Sequence, residues 1–336
     1  MAESTLTIDY AALRRDIGRE LFGGNKRDTA NWTATDIQDV DDILRDGYQM
    51  FLYPPPMDRS GAYQWRWLSV ISDIVLWVTQ TGTVSGTPSY SNPNSTITAA
   101  TGTFYESMLG KSFVFDTSGN AYTIVTFTSS TSIKVNGDAS GEASGDAWTI
   151  TADGVYGLPD EFASIDGNMS YAQSDAIRYE LQPRPAMELK SMRDSGVIAT
   201  GYPQFFAIQP RPFDATRGQR WDVGVYPETD GTYTLSYRGL IQPDAMTATL
   251  KYAAGGMPYS RALRCACFAA IESQQEGMQG PRYSEFMGAL QAAIEFDRKA
   301  STPESVGRNL LQGRSRGNRH GFDALTKYNG QTWGNG

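Results

Sequence analysis

Residues 111–150 read KSFVFDTSGNAYTIVTFTSSTSIKVNGDASGEASGDAWTI. Large apolar side chains stand two apart in this stretch: Phe113 and Phe115, Tyr122 and Ile124, Ile133 and Val135, Trp148 and Ile150. Successive side chains of an extended chain point to opposite faces, so each pair lies on one face of a strand. Turn chemistry separates the runs, at Asp116-Thr-Ser-Gly119-Asn120 and at Asn136-Gly137-Asp138. The surrounding residues 78–152 are dominated by Thr, Ser and Gly, and Lys111 and Lys134 are their only basic side chains. No helical period occurs there. The stretch predicts a small all-β module, sandwich- or barrel-like, of about five or more strands.

Helical signals flank this module on both sides. Tyr10, Leu13, Ile17 and Leu21 share one helical face over residues 8–22, and Gly23-Gly24 end the pattern. Thr35 and Gln38 suit a capping box for a second helix, in which Ile37, Val40, Ile43, Leu44, Tyr48 and Phe51 recur at helical spacing. Asp36, Asp39, Asp41 and Asp42 crowd its positive end, and Tyr53-Pro54-Pro55-Pro56 stops it. Tyr63, Trp65 and Trp67 then alternate with polar residues as in a strand whose aromatic face packs on helices. Beyond Gly154, Trp221/Val223/Val225 and Tyr233/Leu235/Tyr237 predict a β-hairpin through Pro227-Glu-Thr-Asp-Gly231. Helical period returns at Leu263, Ala266, Cys267, Ala270 and Ile271, and again at Phe286, Leu290, Ala293 and Ile294. The expected fold class is α+β. A helical core is built from the two chain ends (1–77 with 153–301) and carries β-hairpin elements. The β module (78–152) is inserted into it, and a tail (302–336) follows.

Composition acts mainly by exclusion. The 336 residues hold one histidine, His320, and two cysteines, which leaves no histidine triad, no multi-histidine metal site and no four-cysteine zinc site. Cys265 and Cys267 lie two apart on a helix and do not face each other, so they read as small core residues. The net charge of −8 argues against general nucleic-acid binding. The charged N-terminus lacks a secretory pattern, and no apolar run is long enough to span a membrane, so synthesis in the cytoplasm is expected. The sequons at Asn31, Asn94 and Asn168 carry no weight without secretion.

Motifs for chemistry are absent too. A calcium loop starting at Asp39 would need Glu at position 50, which is Met50. No phosphate loop, nucleophile elbow or dinucleotide fingerprint occurs. The acidic pairs Glu180/Glu188 and Asp160/Glu161 could serve glycoside cleavage only as any surface carboxylates could. No catalytic, cofactor or metal residue is assigned. The tail is different: Arg308, Arg314, Arg316, Arg319 and Lys327 face only Glu304 and Asp323, a net +3 that leaves −11 on the rest of the chain. Its arginines, with Phe322, Tyr328 and Trp333, have a composition that suits protein docking or nucleic-acid contact.

The order of these pieces resembles a known family. A capped helix ending in Tyr-Pro-Pro precedes YQWRWL (63–68). GTFYESMLGKSFVFDTSGNAYTI (102–124), GDASGEASGDAWTITADG (137–154) and LPDEF (158–162) follow. VGVYPETDGTYTLSYRG (223–239) and GGMPYSRALRCACFAAIES (255–273) complete the series. The series resembles the head-to-tail adaptor, or neck, proteins of tailed bacteriophages and gene transfer agents. The resemblance implies a non-enzymatic virion protein, made in the host cytoplasm, forming a ring of about twelve copies beneath the portal. Portal protein, tail terminator, stopper or tail-tube proteins would be its partners. Genomic DNA would pass through its channel without sequence-specific binding, and no membrane is involved. It implies ring packing by helices carrying Ile37, Val40, Leu44, Leu263, Phe286 and Leu290, and portal docking by Arg314, Arg316, Arg319, Phe322, Tyr328 and Trp333. A tail terminator or nozzle ring is the nearest alternative. A carbohydrate- or receptor-binding virion protein that reads its ligand through the β module is an alternative of another class.

Overall fold

The computed structural model describes residues 4–22, 28–56, 62–172, 175, 179–195, 200–215 and 217–300. Among them are five α-helices: α1 (Tyr10–Phe22), α2 (Ala34–Leu52), α3 (Ala186–Asp194), α4 (Ser260–Glu276) and α5 (Pro281–Ala300). The described residues fall into two compact units. One joins the chain up to Leu68 with the chain from Ala245 onward, and the other is Ser69–Asp244.

The first unit is helical. Asp9 opens α1 by accepting a hydrogen bond from the Ala12 amide at 2.8 Å. The capping box of α2 lies two residues earlier than the sequence suggests. Thr33 Oγ1 accepts from the Asp36 amide at 3.2 Å, and Asp36 accepts from the Thr33 amide at 2.8 Å. Thr35 is already helical, because Thr33 has the extended backbone a cap requires. Leu13 and Ile17 of α1, and Val40, Leu44 and Phe51 of α2, are wholly or almost wholly buried. Helix α2 meets α4 at Gly47, where a Cβ would fall 2.6 Å from the Cys267 Cα. Only glycine permits that approach, and Cys267 fills the seam as a small apolar residue.

The turn between α4 and α5 is held by one carboxylate. Gly277, with φ of 66°, ends α4 in the left-handed conformation. Glu272, in the last turns of α4, accepts from the amides of Gly280 (3.0 Å), Arg282 (3.2 Å) and Tyr283 (3.0 Å). It therefore caps α5 from a neighbouring helix and faces the positive end of that helix dipole. Burial pushes the Glu272 carboxyl up, but the three amide donors and Arg282 outweigh it and hold it below its ordinary 4.5. A lowered carboxyl pKa contributes stability above pH 4.5 and loses it as pH falls through the folded value. Glu272→Gln is therefore expected to lower the melting temperature at neutral pH. The gap to the parent protein should close on acidification below pH 4.5, as followed by circular dichroism.

The second unit is β-rich. Strand β1 (Ser69–Leu76) is followed by β2 (Gln80–Val84), β3 (Ser89–Ser91), β4 (Asn94–Thr101), β5 (Ser112–Phe115), β6 (Ala121–Ser129), β7 (Ser132–Asn136) and β8 (Ala147–Ile150). Strands β2–β8 form one sheet in the order β2-β8-β5-β6-β7-β4-β3, and an additional β2–β4 pairing closes six of them into a barrel. Closure removes the open strand edges that invite unwanted pairing. Trp148 fills this barrel, fully buried, with ring centroids of Phe104 and Phe113 at 5.0 and 5.4 Å. Gly82 and Gly102 lie against its ring, and a Cβ at either would come 2.6 Å from Cζ2.

The remaining strands are β9 (Val155–Gly157), β10 (Phe162–Ile165), β11 (Met169–Tyr171), β12 (Glu180–Pro183), β13 (Thr200–Gly201), β14 (Phe205–Pro210), β15 (Trp221–Tyr226), β16 (Glu228–Thr229) and β17 (Tyr233–Ile241). An eight-stranded sheet runs β1-β17-β11-β12-β14-β15-β9, with β10 also on β17. One hydrophobic cluster runs through both sheets, from Ile74, Leu76 and Trp77 past Trp148 and Ile150 to Val223 and Leu235.

The expectation of a helical core with a small β module is thus overturned. Seventeen strands stand against five helices among the described residues, and β structure occupies most of Ser69–Asp244. The reason is physical: many strands after Gly154 span only two to four residues, too short to show alternation, and their partners are far away in sequence. The predicted hairpin over residues 221–237 does not form either. Strand β15 pairs with β14 and β9, while β17 pairs antiparallel with β1 from Ser69↔Leu240 to Leu76↔Tyr233. Tyr63, Trp65 and Trp67 are also not in a strand: the segment is unpaired and ends in a turn of 3-10 helix at Arg66–Leu68.

Candidate functional site

In the helical unit, a chain of aromatic rings leads to one buried carboxylate. Trp65 is fully buried, and its Nε1 donates to the Phe51 carbonyl at 2.8 Å. Ring centroids of Phe51, Trp67 and Tyr259 lie 5.1–5.7 Å from it. Asp297 of α5, 4% exposed, gathers three donors: the Tyr63 hydroxyl at 2.6 Å, the Tyr259 hydroxyl at 2.9 Å and the Arg66 amide at 3.2 Å. It fixes α5 to the 63–66 segment and to the start of α4. Burial, then the bond to Asp297, pushes the Tyr63 phenol up to about 12 and raises that of Tyr259.

An open groove lies between α4 and α5, next in sequence to the bracket residues Tyr259 and Asp297. The groove encloses about 480 Å3. Met257, Arg261 and Phe296 rim it, and Gly288, Ala289 and Ala292 provide a shallow small-residue face. Gly255 and Gly256 lead into it with φ of 100° and 78°. A Cβ at Gly255 would come 2.9 Å from the Tyr259 ring and 3.0 Å from Trp67. Met257 is 41% exposed and Phe296 47%. Large apolar side chains beside small ones form a surface suited to receiving another helix or an apolar side chain.

The proposed ring-packing residues are placed differently from one another. Val40, Leu44, Leu263, Phe286 and Leu290 are at most 2% exposed and pack inside the helical unit, so their side chains are not presented at its surface. Ile37 is exposed. Arg314, Arg316, Arg319, Phe322, Tyr328 and Trp333 lie outside the described residues. The groove residues Gly288, Ala292 and Phe296 went unread in the sequence. Their i, i+4, i+8 spacing is the signal that could have found them.

Several ionisable groups have structural partners. Three further acidic residues of α2 are among them: Asp41 pairs with Arg14 at 2.9 Å and accepts from Tyr10 at 2.9 Å, Asp42 pairs with Arg45, and Asp46 accepts from Gln274. Asp160 pairs with Arg220, Glu188 with Arg184, and Glu180 accepts from Asn168. Both cysteines are free and buried, and burial pushes the Cys267 thiol up to about 12, far from a reactive thiolate. Among the described residues no group of three or more His, Cys, Asp or Glu could hold a metal ion, and no helix is long and apolar enough to cross a membrane. No protein-family model matches the sequence, and no curated protein matches it either.

Proposed function

We propose that this chain is a structural virion protein, an adaptor ring that joins a portal to a tail. The observation that carries the reading is the helical unit built from both ends of the chain, with the open α4–α5 groove on its surface. A closed ring of identical subunits needs a receiving patch and a different inserting patch on each protomer. The groove is a receiving patch of suitable character. The acidic balance of the chain suits a conduit that lets DNA pass without gripping it. The order of sequence pieces, which resembles that of adaptor proteins, supports the same reading.

Two experiments test it. Electron microscopy of virions is expected to place the chain in the neck; finding it absent there, or at the distal tail tip, overturns the assignment. Ala292→Glu adds a charge at an exposed position of the groove and spares the core. The variant is expected to fold with an unchanged melting temperature but to sediment as a monomer where the parent sediments as a ring. Rings formed equally by both proteins would remove the groove from the interface.

A further inference from the structure

A second concavity lies wholly within the β-rich unit, between β1 and the loop that follows β4. It encloses about 290 Å3. Tyr105, Phe127 and Pro159 contribute apolar wall, and Asp73 and Glu106 bring carboxylates. The frame is held in place. Ser107 Oγ donates to the Val75 carbonyl at 2.5 Å, fixing the Glu106–Met108 turn on β1, and Ser236 Oγ donates to Asp73 Oδ1 at 2.5 Å.

The charged residues lining this cleft, Asp73 and Glu106, are both acidic, and the Arg211 guanidinium behind Gly157 is already paired with Asp222. Glu106 forms no ion pair among the described residues. Burial raises the pKa of its carboxyl, and so do the negative charges of Asp160 and Glu161. Asp160 has Arg220 as its own partner at 3.1 Å. A cation entering the cleft would relieve repulsion among carboxylates, and an aliphatic stem behind it would cover the Tyr105 and Phe127 rings. A guanidinium can also stack on such rings. A neutral saccharide would satisfy the rings and hydroxyls but would leave the charge uncompensated.

We propose that this cleft receives a basic side chain, arginine or lysine, presented by a partner protein. The test uses the full chain labelled with fluorotyrosine and titrated with acetyl-arginine amide, acetyl-lysine amide and the neutral isostere acetyl-citrulline amide. The two cationic probes are expected to shift the Tyr105 resonance saturably, with citrulline weaker by about tenfold or more. Glu106→Gln and Asp73→Asn are each expected to weaken the cationic probes by about tenfold. Melting temperatures should stay nearly unchanged, since neither residue is in the core and an asparagine side-chain oxygen can still accept from Ser236. Equal response to citrulline, undiminished binding by both variants, no response to any probe, or a response to glucose or galactose instead would each overturn the proposal.

Discussion

Alanine at position 297 is expected to lower the stability of the helical unit by about 2–4 kcal/mol, as measured by urea unfolding. The Asp297 carboxylate serves two tyrosine hydroxyls and one backbone amide from a site that is 4% exposed. Removing an acceptor leaves its donors buried without partners, at about 1–3 kcal/mol each where water cannot replace it. Tyr63 is only half-buried, which limits the total. Asp297→Asn keeps one acceptor oxygen and is expected to fall between the parent and the alanine variant. A separate reading comes from alkaline titration. The Tyr63 phenol, pushed up to about 12 against an ordinary 10, contributes stability that is complete below pH 10 and lost as pH rises towards 12. Without Asp297 that phenol should ionise earlier, visible as tyrosinate absorbance. Unchanged titration together with unchanged stability would show that the bracket is not a structural support.

The second large effect belongs to the barrel. Trp148→Ala is expected to cost about 3–5 kcal/mol, the range for truncating a fully buried large aromatic side chain. The side chain is 0% exposed and packs against Phe104 and Phe113. Collapse around the void is hindered, because Gly82 and Gly102 present bare backbone to the ring and no side chain can swing inward from either. Trp148→Phe keeps an aromatic face and should recover part of the loss. A cost below 1 kcal/mol for alanine, read from denaturant midpoints at constant slope, would mean the barrel does not depend on this residue.

Local signals reveal helices α1, α2, α4 and α5 and the barrel strands β5–β8; they miss the short α3 and strands β2–β4, and they fail where pairing is non-local. Helices α2, α4 and α5 follow from apolar residues at helical spacing bounded by prolines and glycines, and Phe113/Phe115 and Trp148/Ile150 lie on the strands their alternation implies. The β1–β17 ladder joins Ser69 to Leu240, and no window of ten or twenty residues contains both. Tyr63, Trp65 and Trp67 misled because spacing of two also arises without a neighbouring strand: Trp65 and Trp67, the latter in a 3-10 turn, pack on Phe51 and Tyr259, while Tyr63 packs on Trp65 and hydrogen-bonds Asp297. Val40, Leu44, Leu263, Phe286 and Leu290 mark helices correctly, yet periodicity cannot say whether an apolar face meets its own chain or another. Burial places these five within the unit. The α4–α5 groove was illegible for the opposite reason, since Gly288, Ala289 and Ala292 form it by what they lack.

The division of the chain also sets a schedule. The helical unit is interrupted after Leu68 and resumes at Ala245, with 176 residues between. At the ordinary pace of synthesis, roughly 5–20 residues per second, α1 and α2 wait about 10–40 s for α4. During that interval Val40, Leu44, Phe51 and Trp65 have no α4 or α5 to cover them, and by its end every strand of the β-rich unit has been made. The β-rich unit can therefore be complete before the helical one can close, and the nascent chain passes through a stage in which its amino-terminal helices are a natural client for a chaperone.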